Sequence, residues 1–288
     1  MTPAPSARPR RLFEIHLNGR SLQVPEGATI LDACRRAAID VPTLCFLDGM
    51  KPFGACRLCV VEVEGSRPLV PACERKLEPG MKVQTDSERI HLSRRLLLEL
   101  LASSVDLSRS AEALEYLERY GARRARFGEP PPSAARVDND LFVRDMSHCI
   151  LCYRCVAACG DEAQHTFAIA VAGRGDAARI ATEFDGALPE SACVYCGNCV
   201  GVCPTGALLF KSEHDLRKAG EWDEARQSRT DTICPYCGVG CVLTLHVQDN
   251  AIVKVTSPRE NETTRGHLCI KGRFGGTFVH AGAEPRHE

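Results

Sequence analysis

The chain has 288 residues, of which 17 are cysteine, and its 36 basic and 37 acidic side chains leave a formal net charge of −1. That balance supplies no global field to draw in nucleic acid or an anionic membrane, and no stretch is apolar for long enough to span a bilayer. The cysteine content is far above ordinary usage, and in a reducing, cytoplasmic setting such thiols point to metal rather than to disulfides.

Residues 1–10, rich in Pro, Ala and Arg, read as a disordered leader, because no apolar core of a signal peptide follows them. From Leu12 to Leu17 apolar and polar residues alternate, break at Asn18-Gly19 and resume with Leu22 and Val24, which predicts a hairpin. A short helix is expected over Thr29 to Ala38, with further strands over Cys59 to Glu64 and Met81 to Thr85. Residues 11–87 should therefore form a small mixed sheet crossed by one helix, as one domain of an α+β chain. Residues 88–136 turn helical, with Ile90, Leu92, Leu96, Leu97, Leu100 and Leu101 at helix spacing.

Residues 137–210 hold an internal repeat, in which Cys149, Cys152, Cys155 and Cys159 recur as Cys193, Cys196, Cys199 and Cys203. Two copies of Cys-x2-Cys-x2-Cys-x3-Cys are the bacterial ferredoxin arrangement, where the fourth cysteine of each run serves the other cluster. By that rule Cys149, Cys152, Cys155 and Cys203 hold one [4Fe–4S] cluster, and Cys193, Cys196, Cys199 and Cys159 hold a second. Pro204 follows the second run as the motif expects, whereas Gly160 follows the first. A pair of zinc sites is the alternative.

A polar linker is expected over 211–230, ahead of a last block, 231–288, with Cys234, Cys237, Cys241 and Cys269. Spacing alone leaves that group open to zinc. The first group, Cys45, Cys56, Cys59 and Cys73, lies in a loop with Gly49, Pro52 and Gly54 and suits a [2Fe–2S] site, but it lacks the plant-type spacing, so zinc or a disulfide scaffold stays open there too. Cys34, on the predicted helix beside Ala33 and Ala37, reads as a buried core thiol. His148 and His91 read as surface residues rather than ligands, because every group has four cysteines.

In these motifs the chain resembles the iron–sulfur N-terminal region of NAD-dependent formate dehydrogenase alpha subunits, and the related large iron–sulfur subunit of respiratory NADH dehydrogenase. The Cys45, Cys56, Cys59, Cys73 spacing is similar to that family's [2Fe–2S] pattern, Phe142-Val143-Arg144-Asp145 before Cys149 resembles its ferredoxin opening, and Gly173-Arg174-Gly175 falls in its inter-cluster insert. Cys234-Pro235-Tyr236-Cys237-Gly238-Val239-Gly240-Cys241, with Cys269-Ile270-Lys271-Gly272, is similar to the [4Fe–4S] domain that opens molybdopterin oxidoreductases.

The resemblance implies a β-grasp [2Fe–2S] ferredoxin domain, a helical segment, a bacterial-type 2[4Fe–4S] ferredoxin domain and a small C-terminal [4Fe–4S] domain. It implies one [2Fe–2S] and three [4Fe–4S] clusters, with Lys271 reaching toward a pterin on a partner. The helical segment, which in many relatives carries a further cluster on one histidine and three cysteines, has no cysteine between Glu88 and Phe127, so that cluster is expected to be absent. The family's molybdenum or tungsten bis-pterin machinery lies beyond Glu288, so no catalytic residue is expected on this chain. The expected role is an electron-transfer subunit between a molybdopterin catalytic subunit and a flavin- or NAD-binding or quinone-linked acceptor. Two related readings are an N-terminal fragment of a longer alpha subunit and an electron carrier of NADH dehydrogenase type.

Overall fold

The computed structural model describes residues 11–277 and 279. The expected leader, 1–10, and most of the polar C-terminal stretch lie outside them. The chain divides into two compact units, one running through Phe46 and including Pro52–Ser103 and Glu112–Glu129, the other built from Leu47–Lys51, Ser104–Ala111 and the chain from Pro130 onward.

In the first unit β1 (Leu12–Leu17) and β2 (Arg20–Pro25) form the expected antiparallel hairpin. Asn18 and Gly19 close it with φ of 51° and 76°, the left-handed pair that a two-residue primed turn requires. Thr29 caps α1 (Ile30–Arg36) through a capping box: its hydroxyl accepts the Asp32 N–H at 3.1 Å, and the Asp32 carboxylate accepts the Thr29 N–H at 2.8 Å. The helix stops before the expected Ala38, which adopts a left-handed φ of 55°.

The strands β3 (Val60–Val63), β4 (Val70–Pro71) and β5 (Lys82–Gln84) complete a five-stranded sheet in the order β2-β1-β5-β3-β4. The β1–β5 pair is parallel and the others antiparallel, so the sheet is mixed as expected. Ile15, Leu17, Val24, Ile30, Leu31, Val61 and Val83 pack its core together with Cys34, Cys59 and Cys73.

The helical segment consists of α2 (Glu88–Ser104) and α3 (Ala111–Arg119). It breaks at Asp106, whose carboxylate accepts the Ser108 N–H at 2.8 Å, a local turn that competes with helical bonding. The buried side chains of α2 are Ile90, Arg94, Leu98, Glu99 and Ala102; of the positions expected at helix spacing Ile90 is buried, Leu96, Leu97 and Leu101 are half-buried, and Leu92 and Leu100 are exposed.

The second unit opens with β6 (Phe142–Arg144), then α4 (Arg154–Cys159), a hairpin of β7 (Ala170–Ala172) and β8 (Arg179–Ala181), α5 (Asn198–Gly201) and β9 (Leu208–Phe210), which pairs antiparallel with β6. Gly173 turns the insert hairpin at a φ of 73°, where a Cβ would stand 2.3 Å from the Ala177 carbonyl oxygen. Residues 211–230, expected as a linker, are largely regular structure. α6 (Lys211–Ala219) carries the i,i+4 pairs Lys211–Asp215 and Glu213–Arg217 and ends on left-handed Gly220. Its polar composition marks a solvated helix rather than an extended chain.

Strands β10 (Ser228–Ile233), β11 (Val242–Gln248) and β12 (Ala251–Thr256) form a three-stranded antiparallel sheet, followed by α7 (Ile270–Phe274). Phe274 stacks on Phe142 at 6.2 Å and meets Phe210 at 5.7 Å between ring centroids, which seats α7 on the β6–β9 ribbon. Among the described residues no helix is long and apolar enough to cross a membrane.

Candidate metal centres

All seventeen cysteines lie within the described residues and none forms a disulfide. Cys34 is fully buried in the sheet core, and burial pushes its thiol up to about 11, so it behaves as the packed thiol expected of it.

Cys45, Cys56, Cys59 and Cys73 are brought together in the first unit, and all four are buried. The sulfurs of Cys59 and Cys73 are 3.4 Å apart, and the Leu44 N–H points at the Cys56 sulfur at 3.5 Å. Left-handed Arg57 bends the chain between Cys56 and Cys59. A hydrogen bond from Cys56 holds the Cys45 thiol down to about 6, while the same contact and burial push Cys56 up. Cys59 and Cys73 divide in the same way, Cys59 lowered and Cys73 raised. Four buried thiols this close cannot all ionise without a cation among them, which is the condition a metal centre meets.

Sequence patterns did not flag Arg94, which braces this loop. It lies in the buried stripe of α2, its Nε and one terminal nitrogen donate to the carbonyls of Leu58 at 3.0 Å and Val60 at 3.1 Å, and its other terminal nitrogen donates to the Tyr120 hydroxyl at 3.0 Å. The signal was a charged residue at the i+4 position between Ile90 and Leu98.

In the second unit the repeat is visible in the backbone. Leu151 and Tyr153 flank Cys152 with φ of 51° and 63°, and Tyr195 and Gly197 flank Cys196 with φ of 55° and 68°. These left-handed residues turn N–H groups toward sulfur: those of Leu151 and Arg154 bear on Cys149 and Cys152, those of Tyr195 and Asn198 on Cys193 and Cys196. Burial acts in the opposite sense and is larger, pushing Cys152 up to about 12 and raising Cys149, Cys155, Cys193, Cys196 and Cys199.

The two copies line two apolar pockets. One is ringed by Cys149, Cys152, Cys155 and Cys203 with Met146, Ile180 and Leu208. The other is ringed by Cys159, Cys193, Cys196 and Cys199 with Phe142, Ile169 and Leu188. Each pocket thus takes three cysteines from one copy and the fourth from the other. The Cys159 sulfur also accepts the Ala168 N–H at 3.2 Å. Among the described residues no three His, Cys, Asp or Glu side chains are placed to hold one metal ion directly. Four thiols around an apolar pocket suit a multi-atom cluster, and N–H donors aimed at sulfur would stabilise its charge.

His148 is not the surface residue expected. It is buried, with its Nδ1 2.6 Å from the Asp106 carbonyl oxygen and its Nε2 3.5 Å from the Asp145 carboxylate, while Thr205 donates to its carbonyl at 2.6 Å. The residue braces the Cys149 and Cys203 loops. His91 is exposed and pairs with Asp86.

Cys234, Cys237, Cys241 and Cys269 also gather, since the charges of Cys234, Cys237 and Cys269 all act on Cys241 after its burial. Cys234 is buried beside Leu243, Val255 and Leu268, whereas Cys237 and Cys269 are exposed amid exposed Tyr236, Val239 and Ile270. Lys271 is exposed in the first turn of α7, two residues after Cys269.

A chain with these ferredoxin folds and thiol-lined pockets is an iron–sulfur protein of electron-transfer type. Family models match it in three stretches: a 2Fe-2S iron-sulfur cluster binding domain over residues 10–88, the NADH-quinone oxidoreductase subunit 3 ferredoxin-like domain over 140–209, and the molybdopterin oxidoreductase Fe4S4 domain over 227–281. The chain belongs to the family formed by the iron–sulfur N-terminal region of formate dehydrogenase alpha subunits and the large iron–sulfur subunit of NADH dehydrogenase. It is 34% identical to an NADH-quinone oxidoreductase component of Rhizobium meliloti over 93% of this chain and 32% of that protein. A protein of Staphylococcus haemolyticus provisionally named a formate dehydrogenase is 24% identical over 90% of this chain and 30% of its own length. A chain of the NAD+-reducing [NiFe]-hydrogenase in the H2-reduced state superposes with a TM-score of 0.62 at 30% identity, covering 69% of this chain and 87% of that one. The chain spans about a third of the length of the curated relatives it matches.

Proposed function

We propose that the chain relays single electrons between a molybdenum or tungsten bis-pterin formate dehydrogenase catalytic unit and a flavin- or quinone-linked acceptor. In this reading Cys45, Cys56, Cys59 and Cys73 hold a [2Fe–2S] cluster. Cys149, Cys152, Cys155 and Cys203 hold one [4Fe–4S] cluster, Cys159, Cys193, Cys196 and Cys199 a second, and Cys234, Cys237, Cys241 and Cys269 a third. Bound clusters supply the one-electron chemistry, and the chain's residues bury them, aim N–H groups at sulfur and so set their potentials. No catalytic residue is assigned to the chain.

The observation that carries the reading is the exchange of Cys159 and Cys203 between the two pockets, the two-cluster ferredoxin plan in its geometry as well as its spacing. The pterin side is assigned to the last group because its cysteines alone include exposed members, set among apolar side chains with Lys271 alongside. A catalytic unit docking there would cover Cys237 and Cys269, and Lys271 would reach toward its pterin. The greater identity to the NADH-quinone oxidoreductase relative favours a second reading, an electron carrier of NADH dehydrogenase type.

Anaerobic purification from native cells, with metal analysis and a formate-driven dye-reduction assay, separates the readings. About 14 iron atoms per chain are expected, two for the first group and four for each of the others. Molybdenum or tungsten arriving with formate-driven activity supports the formate reading. Activity driven by NADH without either metal refutes it in favour of the second, and stoichiometric zinc refutes both.

A further inference from the structure

Arg273 has the largest side chain among the fully buried ones, at 2% exposure, and among the described residues no carboxylate pairs with it. A lone guanidinium is costly to bury unless negative charge or acceptors compensate it. Here Nε donates to the Cys196 carbonyl at 3.0 Å and one terminal nitrogen donates to the Asn198 side-chain oxygen at 3.0 Å. Longer contacts reach the Gly266 carbonyl at 3.4 Å and the Val255 carbonyl at 3.5 Å. The same Asn198 oxygen accepts the N–H of Leu268, the neighbour of Cys269, at 2.9 Å. One cation thus joins the Cys196 turn of the second ferredoxin copy to the loop that carries Cys269, only four positions before it in sequence.

The repeat departs from its own symmetry where this side chain arrives. The first copy has Tyr153 and Ala157, and the second has Gly197 and Gly201 at the matching positions. A Cβ on Gly197 would stand 2.4 Å from the Arg273 Cδ, and one on Gly201 would stand 3.1 Å from a terminal nitrogen. The left-handed φ does not by itself demand glycine at the first of these, because Tyr153 adopts 63° in the other copy. Space for Arg273, and for the Phe274 ring 2.8 Å from the same point, does.

We infer that Arg273 is a charge-tuning and positioning residue shared by the second ferredoxin-type cluster and the C-terminal cluster, raising the reduction potential of the former. The inference rests on the reading that both cysteine groups hold [4Fe–4S] clusters. A one-electron reduction adds negative charge to the cluster, and a buried guanidinium on the Cys196 turn stabilises that reduced form more than the oxidised one. Its fork also fixes the spacing of the two cysteine loops, which an electron must cross.

The test is a dithionite redox titration, followed by electron paramagnetic resonance, of the full chain purified anaerobically. The relevant signal is assigned by its loss in Cys193→Ala. Arg273→Gln, with iron content equal to the unmutated chain, should shift that cluster's reduction equilibrium at least tenfold toward the oxidised form, 59 mV for one electron. Arg273→Lys, which keeps the charge, should restore most of the difference. Asn198→Asp leaves the arginine in place but sets a carboxylate against it, so its midpoint should fall too, which keeps the test open where Arg273→Gln does not load. An unchanged midpoint in an iron-replete Arg273→Gln or Asn198→Asp overturns the inference, as does a fall of equal size in Arg273→Lys. Iron in the unmutated chain too low for these two clusters would instead refute the reading beneath it.

Discussion

Replacing Arg94 by methionine keeps most of the side-chain volume and removes the fork that ties α2 to the first cysteine loop. The loss can be worked from its partners. Two buried carbonyls, those of Leu58 and Val60 on either side of Cys59, and the Tyr120 hydroxyl each lose a charged donor at 3.0–3.1 Å. Hydrogen bonds to charged groups contribute roughly 1.5–3 kcal/mol each, and buried acceptors left without a donor cost about 1–3 kcal/mol. These terms overlap, so Arg94→Met should destabilise the first unit by about 3–5 kcal/mol, a large share of the ~5–15 kcal/mol that holds a domain together. Arg94→Lys, which can satisfy one carbonyl but not the pair, should fall between. The assay is urea unfolding under anaerobic conditions, followed by the visible circular dichroism of the [2Fe–2S] chromophore beside total iron. A loss below about 1 kcal/mol at unchanged denaturant slope would refute the bracing role, because slope and midpoint together report stability.

Cys34→Ala should keep full iron content and cost at most about 1 kcal/mol by leaving a small cavity, and bleaching of the [2Fe–2S] spectrum by this change would show the ligand set to be wrong. Cys159→Ala should damage the cluster held with Cys193, Cys196 and Cys199 while leaving the signal of the Cys149, Cys152, Cys155 and Cys203 group, as read by paramagnetic resonance and iron analysis. Burial holds His246 down to about 4 in the fold, against about 6.5 in the unfolded chain, so the unfolded state binds more protons between those values and stability falls as pH falls through them. The last sheet should lose about 2 kcal/mol between pH 7 and pH 5, and His246→Gln should remove that part of the acid sensitivity in amide exchange of β11 and β12.

Features carried by local chemistry were legible in the sequence. The Asn18-Gly19 turn, the short helix after it and the two cysteine runs each rest on residues close in the chain, and the structure gathers them there, with Thr29 serving as the helix cap rather than its first residue. What failed were readings in which composition stood in for packing. The polar run after Phe210 suggested a linker, but polar side chains at i,i+4 spacing support a helix as readily. His148 looked like a surface residue because nothing nearby in sequence shows Asp106, more than forty residues earlier, closing over it. Arg94 and Arg273 were the hardest to anticipate, since a buried arginine is defined by carbonyls brought from distant segments. Only the interruption of an apolar stripe hinted at the first, and only the two extra glycines of the second repeat copy hinted at the other.

The crossing of Cys159 and Cys203 between the two pockets has a consequence for assembly. Neither pocket can be completed by its own stretch of chain, so a ribosome that has delivered Cys149 through Cys159 has delivered only three walls of the first and one of the second. The second is closed only at Cys199 and the first only at Cys203, some fifty residues after the run began. On the proposed ligand sets, neither centre can take its full complement of iron before that later stretch has been made, and each lends one thiol to the wall of its neighbour.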